Sequence, residues 1–319
     1  MVDVLLVGAG NMAVSYYKVL KALNCKVTVV GRSQSSAETF EKTTREKVFT
    51  GGLNKYLSEH KDYPKHAVIA TPVDSLAENT KALIKAGISF ILVEKPAGLN
   101  PIEVGDINEL ASVAKTNVYV AYNRRFYSSV IEAKRRIELD GGVTSLRLEF
   151  SEWSYRISKG NISDTVKANW LFANSTHVLD MGFYLAGFPE YLNSAVSGGL
   201  DWHMDGAQYV GHGQLKGGAL FSYHADWQAA PRWMIEVMTK KGTYMFNPLE
   251  KLSFRSTKSF DIEQIKINDK LDLEFKPGLY EQTRLFLKGQ NRDLLVIGEH
   301  AKYMTTIYSK MLYNRTFIA

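Results

Sequence analysis

Short apolar runs alternate with stretches of helical period from the first residues through Tyr122. The runs Val4–Val7, Lys26–Val30, Ala67–Ala70, Ser89–Val93 and Val118–Tyr122 read as strands buried on both faces, with a weaker one near Val48 and Phe49. Between them, helical spacing of apolar residues marks Met12–Leu23, Leu76–Ala86 closed by Gly87, and Ile102–Lys115. Strands and helices in strict alternation predict an α/β fold: a Rossmann-type doubly wound parallel sheet over residues 1–122, with right-handed crossovers.

Beyond Tyr122 the pattern changes. A basic helix, Val130–Leu139, leads through Gly141 and Gly142 into Val143–Ser151, whose alternation is that of a half-buried strand. A helix from Ser175 to Ala186 is expected, stopped by Gly187 and Pro189. Residues 195–275 hold several β-rich runs, among them Ala219–Trp227, Trp233–Thr239 and Thr243–Phe246. They predict an α+β second domain, residues 123–319, built on a large, mostly antiparallel open sheet. Leu279–Leu287 and Leu294–Leu312 return to helix and are candidates to pack back on the first domain.

Composition narrows the function classes. A chain of 319 residues that is 45% hydrophobic and 23% charged is a globular protein of two ordinary domains. Its net charge of +6 is spread among acidic residues, with no basic block carrying interleaved aromatics, so no nucleic-acid partner is expected. Cys25 is the only cysteine, which excludes an intrachain disulfide or a cysteine-built metal site and suits a reducing compartment. No run approaches the ~18–20 apolar residues of a membrane helix, and no basic residue precedes the first strand as in a secretory signal. A cytoplasmic protein with no membrane partner is the expectation. His203, His212 and His224 match no common metal-ligand spacing, and no metal is predicted.

The candidate chemistry begins at Gly8-x-Gly10-x-x-Ala13, between a strand and a helix. Such a turn lets a dinucleotide pyrophosphate approach the backbone, with the amides around Asn11 and Met12 at the helix start facing it. The second strand ends in Gly31-Arg32-Ser33 without a carboxylate for a ribose 2′-hydroxyl. Arg32 offers a charged fork and Ser33 a hydroxyl, both suited to a 2′-phosphate, so NADP(H) is favoured over NAD(H). Thr71 and Pro72 follow the Ala67–Ala70 strand and should line the same crevice, while Asp74 or Ser75 serves to cap the next helix.

Glu94-Lys95-Pro96 ends the fourth of the strong strands, where ligands bind in open parallel sheets. A lysine there, its pKa lowered by burial or by a nearby positive charge, is a candidate general acid or base beside a hydride acceptor, and Lys95 is also a candidate cofactor contact. Glu94 is read as bonding backbone or the cofactor's surroundings, and Pro96 as shaping an unusual turn through a cis bond.

Gly8-x-Gly10-x-x-Ala13, Ala70-Thr71-Pro72, Val93-Glu94-Lys95-Pro96 and Tyr122-Asn123-Arg124-Arg125-Phe126, in this order and spacing, resemble the glucose-fructose oxidoreductase / inositol dehydrogenase / rhizopine catabolism family. The resemblance extends over essentially the whole chain. It implies an NAD(P)-dependent oxidoreductase acting on a sugar, polyol or related carbonyl compound, with Lys95 in the acid/base step. It also implies a homodimer or homotetramer formed through the second-domain sheet. The family's Asp-x-Gly-x-His-x-x-Asp stretch corresponds here to Ala173-Asn174-Ser175-Thr176-His177-Val178-Leu179-Asp180. His177 and Asp180 align, whereas Ala173 stands for the first Asp and Ser175 for the Gly. His177 is the expected partner of Lys95, and Asn174 is either a neutral hydrogen-bonding assistant or a helix N-cap. Asp180 orients a neighbour or lines the substrate pocket. Asn123 and Arg124 are further substrate candidates, one of Arg124 and Arg125 contacting substrate while the other forms an interdomain ion pair. Arg156 and Trp170 are candidates to line a sugar pocket. The altered Ala173 keeps open a cofactor sensor without turnover, and a non-sugar substrate such as a linear tetrapyrrole or an imine is a third reading.

Overall fold

Five apolar runs of the first half stack side by side as predicted, and a sixth, shorter strand joins them. The computed structural model describes residues 1–290, 292–313, 317 and 318 and divides the chain into two units. The first comprises Met1–Asn123 and Leu271–Ala301, the second Arg124–Lys270 and Lys302–Ala319.

In the first unit the strands are β1 (Asp3–Val7), β2 (Lys26–Val30), β3 (Val48–Phe49), β4 (His66–Ile69), β5 (Phe90–Glu94) and β6 (Asn117–Ala121). They lie in the order β6-β5-β4-β1-β2-β3, all parallel, with a short antiparallel strand, Leu295–Val296, added beside β6. Strands covered on both faces need no polar side, which is why their sequence is apolar without alternation. Helices α1 (Asn11–Ala22), α2 (Gln34–Thr44), α3 (Leu53–Glu59), α4 (Leu76–Lys85) and α5 (Pro101–Ala114) form the crossovers. The start of α5 has a local cause. Asn100 caps α5 by accepting from the amides of Ile102 and Glu103 at 3.0 Å, and Pro101 occupies the first helical position. Helices α2 and α3 were not among the predicted elements. The predicted helix Leu294–Leu312 begins instead with the strand Leu295–Val296, so the sheet has seven strands rather than six.

The second unit is built on a nine-stranded sheet. Its strands include β7 (Ser145–Ser151), β8 (Pro189–Ser197), β9 (Gln208–Leu215), β10 (Leu220–Asp226), β11 (Arg232–Met238), β12 (Gly242–Phe246), β13 (Ser253–Ser256) and β14 (Glu263–Gln264). The order is β14-β13-β12-β11-β7-β10-β9-β8, with Phe317–Ile318 beside β8. All neighbours are antiparallel except β7 and β10. Strands β7 and β10 alternate: Leu146, Leu148, Phe150, Phe221, Tyr223 and Ala225 are buried, while Arg147, Ser222 and His224 are exposed. The unit also contains α6 (Ser128–Leu139), α7 (Ser154–Lys159), α8 (Asp164–Ala168) and α9 (Thr176–Ala186). Nearly every residue of α9 is buried, and a Cβ on Gly182 would collide with Leu148 of β7, so this helix lies hard against the sheet. A helix buried all round places its polar residues, His177 and Asp180 among them, where each needs a partner. No helix among the described residues is long and apolar enough to cross a membrane.

Candidate active-site elements

The glycine turn follows β1. Gly8 has φ +124° and a Cβ there would clash with the Ala70 carbonyl, so both conformation and closeness demand glycine. Nothing would meet a Cβ at Gly10, which leaves open space in front of the first turn of α1. That turn has no side-chain cap, so its amides are not engaged by the capping residue, and Ala13 is fully buried beneath it. A cleft of about 590 Å3 opens here. Gly8, Gly10, Asn11, Met12, Arg32, Ser33, Thr71 and Pro72, all predicted as cofactor residues, line it. Open space at a glycine turn, uncapped amides and a cleft of ligand size fit a dinucleotide.

Details at the cleft refine the prediction. Ser33 caps α2, its hydroxyl accepting from the Ser36 amide at 3.4 Å and lying 2.7 Å from the Ser36 hydroxyl. Thr71 accepts from Ser75 at 3.0 Å and from Asn79 at 3.2 Å, so Ser75 holds Thr71 and forms no side-chain cap on α4. Ser36, Gly51, Gly52, Asn54 and Asn79 line the cleft and were not foreseen. Ser36, Asn54 and Asn79 stand in the first turns of α2, α3 and α4, where polar residues are ordinary, and Gly51 and Gly52 precede α3, so none of them forms a motif.

Lys95 follows β5 in the same unit and is half-buried, with a cis bond to Pro96. Neither it nor Glu94 lines the 590 Å3 cleft. Glu94 accepts a hydrogen bond from Tyr16 of α1 at 2.8 Å, in addition to the expected backbone bond, which the Lys95 amide supplies. Burial pushes the Glu94 carboxyl above its usual pKa, and the Tyr16 bond and the charges of Lys95 and Lys276 oppose that rise. Tyr16 is pushed well up by its own burial and by Glu94. The Pro96 carbonyl lies 2.9 Å from Nε2 of His300, a fully buried residue on the returning segment. A carbonyl only accepts, so Nε2 carries the proton. Asn123 is buried and donates to the Pro277 carbonyl at 2.9 Å, so its amide braces the same unit. His300→Leu strands the Pro96 carbonyl and is expected to cost about 1–3 kcal/mol of stability. Thermal unfolding of the Leu variant beside His300→Gln, which keeps a donor, checks this.

The second unit holds the remaining candidates. His177 is buried on α9, its ring centroid 6.4 Å from that of Trp233 on β11. Leu171–Ser175 forms a widened π-helical turn ahead of α9, a distortion often found near functional sites. Asn174 does not cap the helix. Its amide donates to both carboxylate oxygens of Glu152, at 3.3 and 3.1 Å, and Ser175 donates to the same carboxylate at 2.7 Å. Glu152 is 4% exposed and was missed because it lies one residue past a strand with no motif around it.

Of the two readings of Asp180, orienting a neighbour fits the structure and lining the substrate pocket does not. Asp180 is 1% exposed and accepts from Nε and Nη2 of Arg125 at 2.8 and 2.6 Å. Burial raises its pKa, a rise that the bidentate guanidinium of Arg125 opposes without cancelling. Both partners belong to the second unit, so the expected interdomain pair is an internal one. Arg156 is exposed on α7, its guanidinium 5.5 Å from the ring of Trp153. Trp170 meets Trp202 edge to face at 6.2 Å and has a buried indole N–H without a partner among the described residues. Arg124 stacks on Trp233 at 4.7 Å and donates to the Tyr127 hydroxyl at 3.1 Å.

Residues 2–122 match the family model described as "Oxidoreductase family, NAD-binding Rossmann fold". No curated protein matches the sequence. Among solved structures, a UDP-N-acetylglucosamine 3-dehydrogenase from Acidithiobacillus ferrooxidans is 14% identical with a TM-score of 0.73, over 97% of this chain and 96% of its own. A levoglucosan dehydrogenase bound to NADH and levoglucosan is 18% identical with a TM-score of 0.78, over 98% and 96%. An NAD-binding oxidoreductase from Klebsiella pneumoniae is 16% identical with a TM-score of 0.76, over 99% and 98%. At these identities the likeness is one of fold, and it holds over both domains.

Proposed function

We propose that the protein is an oxidoreductase of the Gfo/Idh/MocA kind, a reading supported by the family-model match over residues 2–122, and that it moves hydride to or from a hydroxyl- or carbonyl-bearing carbon of a sugar-like molecule. One observation carries the reading: the glycine-turn cleft occupies the domain in which β5 delivers Lys95. When bound, the nicotinamide supplies the hydride acceptor or donor. Lys95 takes the proton of a substrate hydroxyl in one direction and returns it to the carbonyl oxygen in the other. His177 holds that hydroxyl by a hydrogen bond. The sheet of the second domain serves both substrate binding and self-association, in a reducing cytoplasmic compartment. A panel of sugars, sugar derivatives and polyols, followed by absorbance of the reduced cofactor, tests the reading. Binding of cofactor with no turnover on any member would make the protein a sensor instead.

The preference for NADP(H) belongs to the same proposal. Arg32 is exposed at the rim of the cleft, beside Ser33 and Ser36 at the start of α2. A guanidinium on a phosphate dianion strengthens binding by about 1.5–3 kcal/mol, or roughly ten-fold or more in affinity. Arg32→Ala should therefore weaken NADPH about ten-fold or more and leave NADH within a few-fold. Fluorescence titration reads both, and wild-type affinity for NADH equal to or above that for NADPH removes the role given to Arg32.

A further inference from the structure

Arg124 and Arg125 are chain neighbours with opposite electrostatic fates. Arg125 is neutralised by the bidentate carboxylate of Asp180. Arg124 has no carboxylate partner among the described residues. Its guanidinium lies 4.7 Å from the Trp233 ring centroid and 5.6 Å from that of Tyr127, and one Nη donates to the Tyr127 hydroxyl. Its Nε is shut off from solvent without an acceptor among the described residues. Aromatic faces attract a cation, yet they do not neutralise it. A half-buried guanidinium held rigid by two rings thus carries its charge uncompensated, a state that an incoming oxyanion relieves. His177 lies against the same Trp233 indole.

We propose that Arg124 is the anchor for an anionic group on the substrate, a carboxylate or a phosphate, carried on the molecule whose hydroxyl His177 engages. The inference rests on the proposed oxidoreductase reading only for the role of His177. Trp233 sets the position of the anchor: it lies on β11, paired with Phe150 of β7 in the sheet against which α9 packs. The guanidinium fork matches carboxylate and phosphate alike, so the chemistry shared by both is an oxyanion with at least two free oxygens.

The test is calorimetric titration of the full chain with D-glucuronate, D-glucose 6-phosphate and UDP-glucose, with D-glucose as the neutral reference. At least one anion is expected to bind about ten-fold or more tighter than D-glucose, and the arm that responds separates carboxylate, phosphate monoester and diphosphate. Arg124→Gln should abolish that advantage, and Arg124→Lys, which keeps charge without the fork, should retain part of it. Failure of all three anions to exceed D-glucose, or persistence of the advantage in Arg124→Gln, overturns the inference. Arg124-dependent binding without turnover of any sugar would leave the anchor standing and sink the oxidoreductase reading. Lys95-dependent turnover of a neutral sugar, indifferent to Arg124→Gln, would do the reverse.

Discussion

Lys95→Ala is expected to lower turnover by about 100- to 10,000-fold, the range supplied by a positioned general acid or base. Cofactor affinity should stay within a few-fold of wild type, because Lys95 lies outside the cleft around the glycine turn. The surroundings of the lysine support this expectation. Its strand is buried, Tyr16 holds the preceding Glu94, and His300 holds the following Pro96 carbonyl. The backbone on either side of the ammonium is thereby fixed, and a positioned proton carrier needs such fixity. Lys95→Arg separates charge from proton transfer. A guanidinium remains protonated throughout the working range and cannot act as a base, so this variant should be as impaired as the alanine one. Steady-state rates on the sugar that responds best would decide. Wild-type turnover in either variant would remove Lys95 from the chemistry.

The parts that were legible in the sequence are those whose physics is local. Strands β1, β2, β4, β5 and β6 are covered on both faces and so appear as unbroken apolar runs. The glycine turn and Lys95 are legible because the residue types at a strand end define their chemistry. Helix α2 was missed because only Ala37 and Phe40 are buried along its length, too few to write a stripe. Strand β9 was hidden by Gly211 and Gly213, which lower strand propensity. The structure supplies their reason: a Cβ at Gly211 would strike the Tyr223 ring and the Asn193 carbonyl, and one at Gly213 the Tyr191 carbonyl. The supports of the site are long-range pairs. Tyr16 and Glu94 are 78 residues apart, Pro96 and His300 are 204 apart, and Arg125 and Asp180 are 55 apart. Nothing in a single sequence links such partners. Asp180 was read as orienting a neighbour or lining the substrate pocket; the pair fits the first, but the sequence could not say that Arg125 is the neighbour.

That arginine carries the largest stability effect expected in the second domain. Asp180→Ala leaves the Arg125 guanidinium buried without its counter-charge, and removing one member of a buried pair costs about 3–5 kcal/mol. For a domain of this size the midpoint of thermal unfolding should fall by roughly 6–20 °C. Arg125→Met is expected to act in the same direction, with the added loss of the guanidinium's stacking 4.9 Å from the Tyr184 ring. The double variant Arg125→Met with Asp180→Leu removes both charges and should recover much of the loss, because an apolar pair of similar volume often replaces a buried ion pair at little cost. Scanning calorimetry with near-ultraviolet dichroism follows the domain through its buried aromatics. A double variant no more stable than Asp180→Ala would mean that the cost is one of packing, not of unpaired charge. The pair also links Arg125 to α9 three residues beyond His177, so the single variants should loosen the imidazole that the proposed reaction needs. In the double variant stability returns while this directional tether stays absent, so turnover should recover less than the unfolding midpoint does.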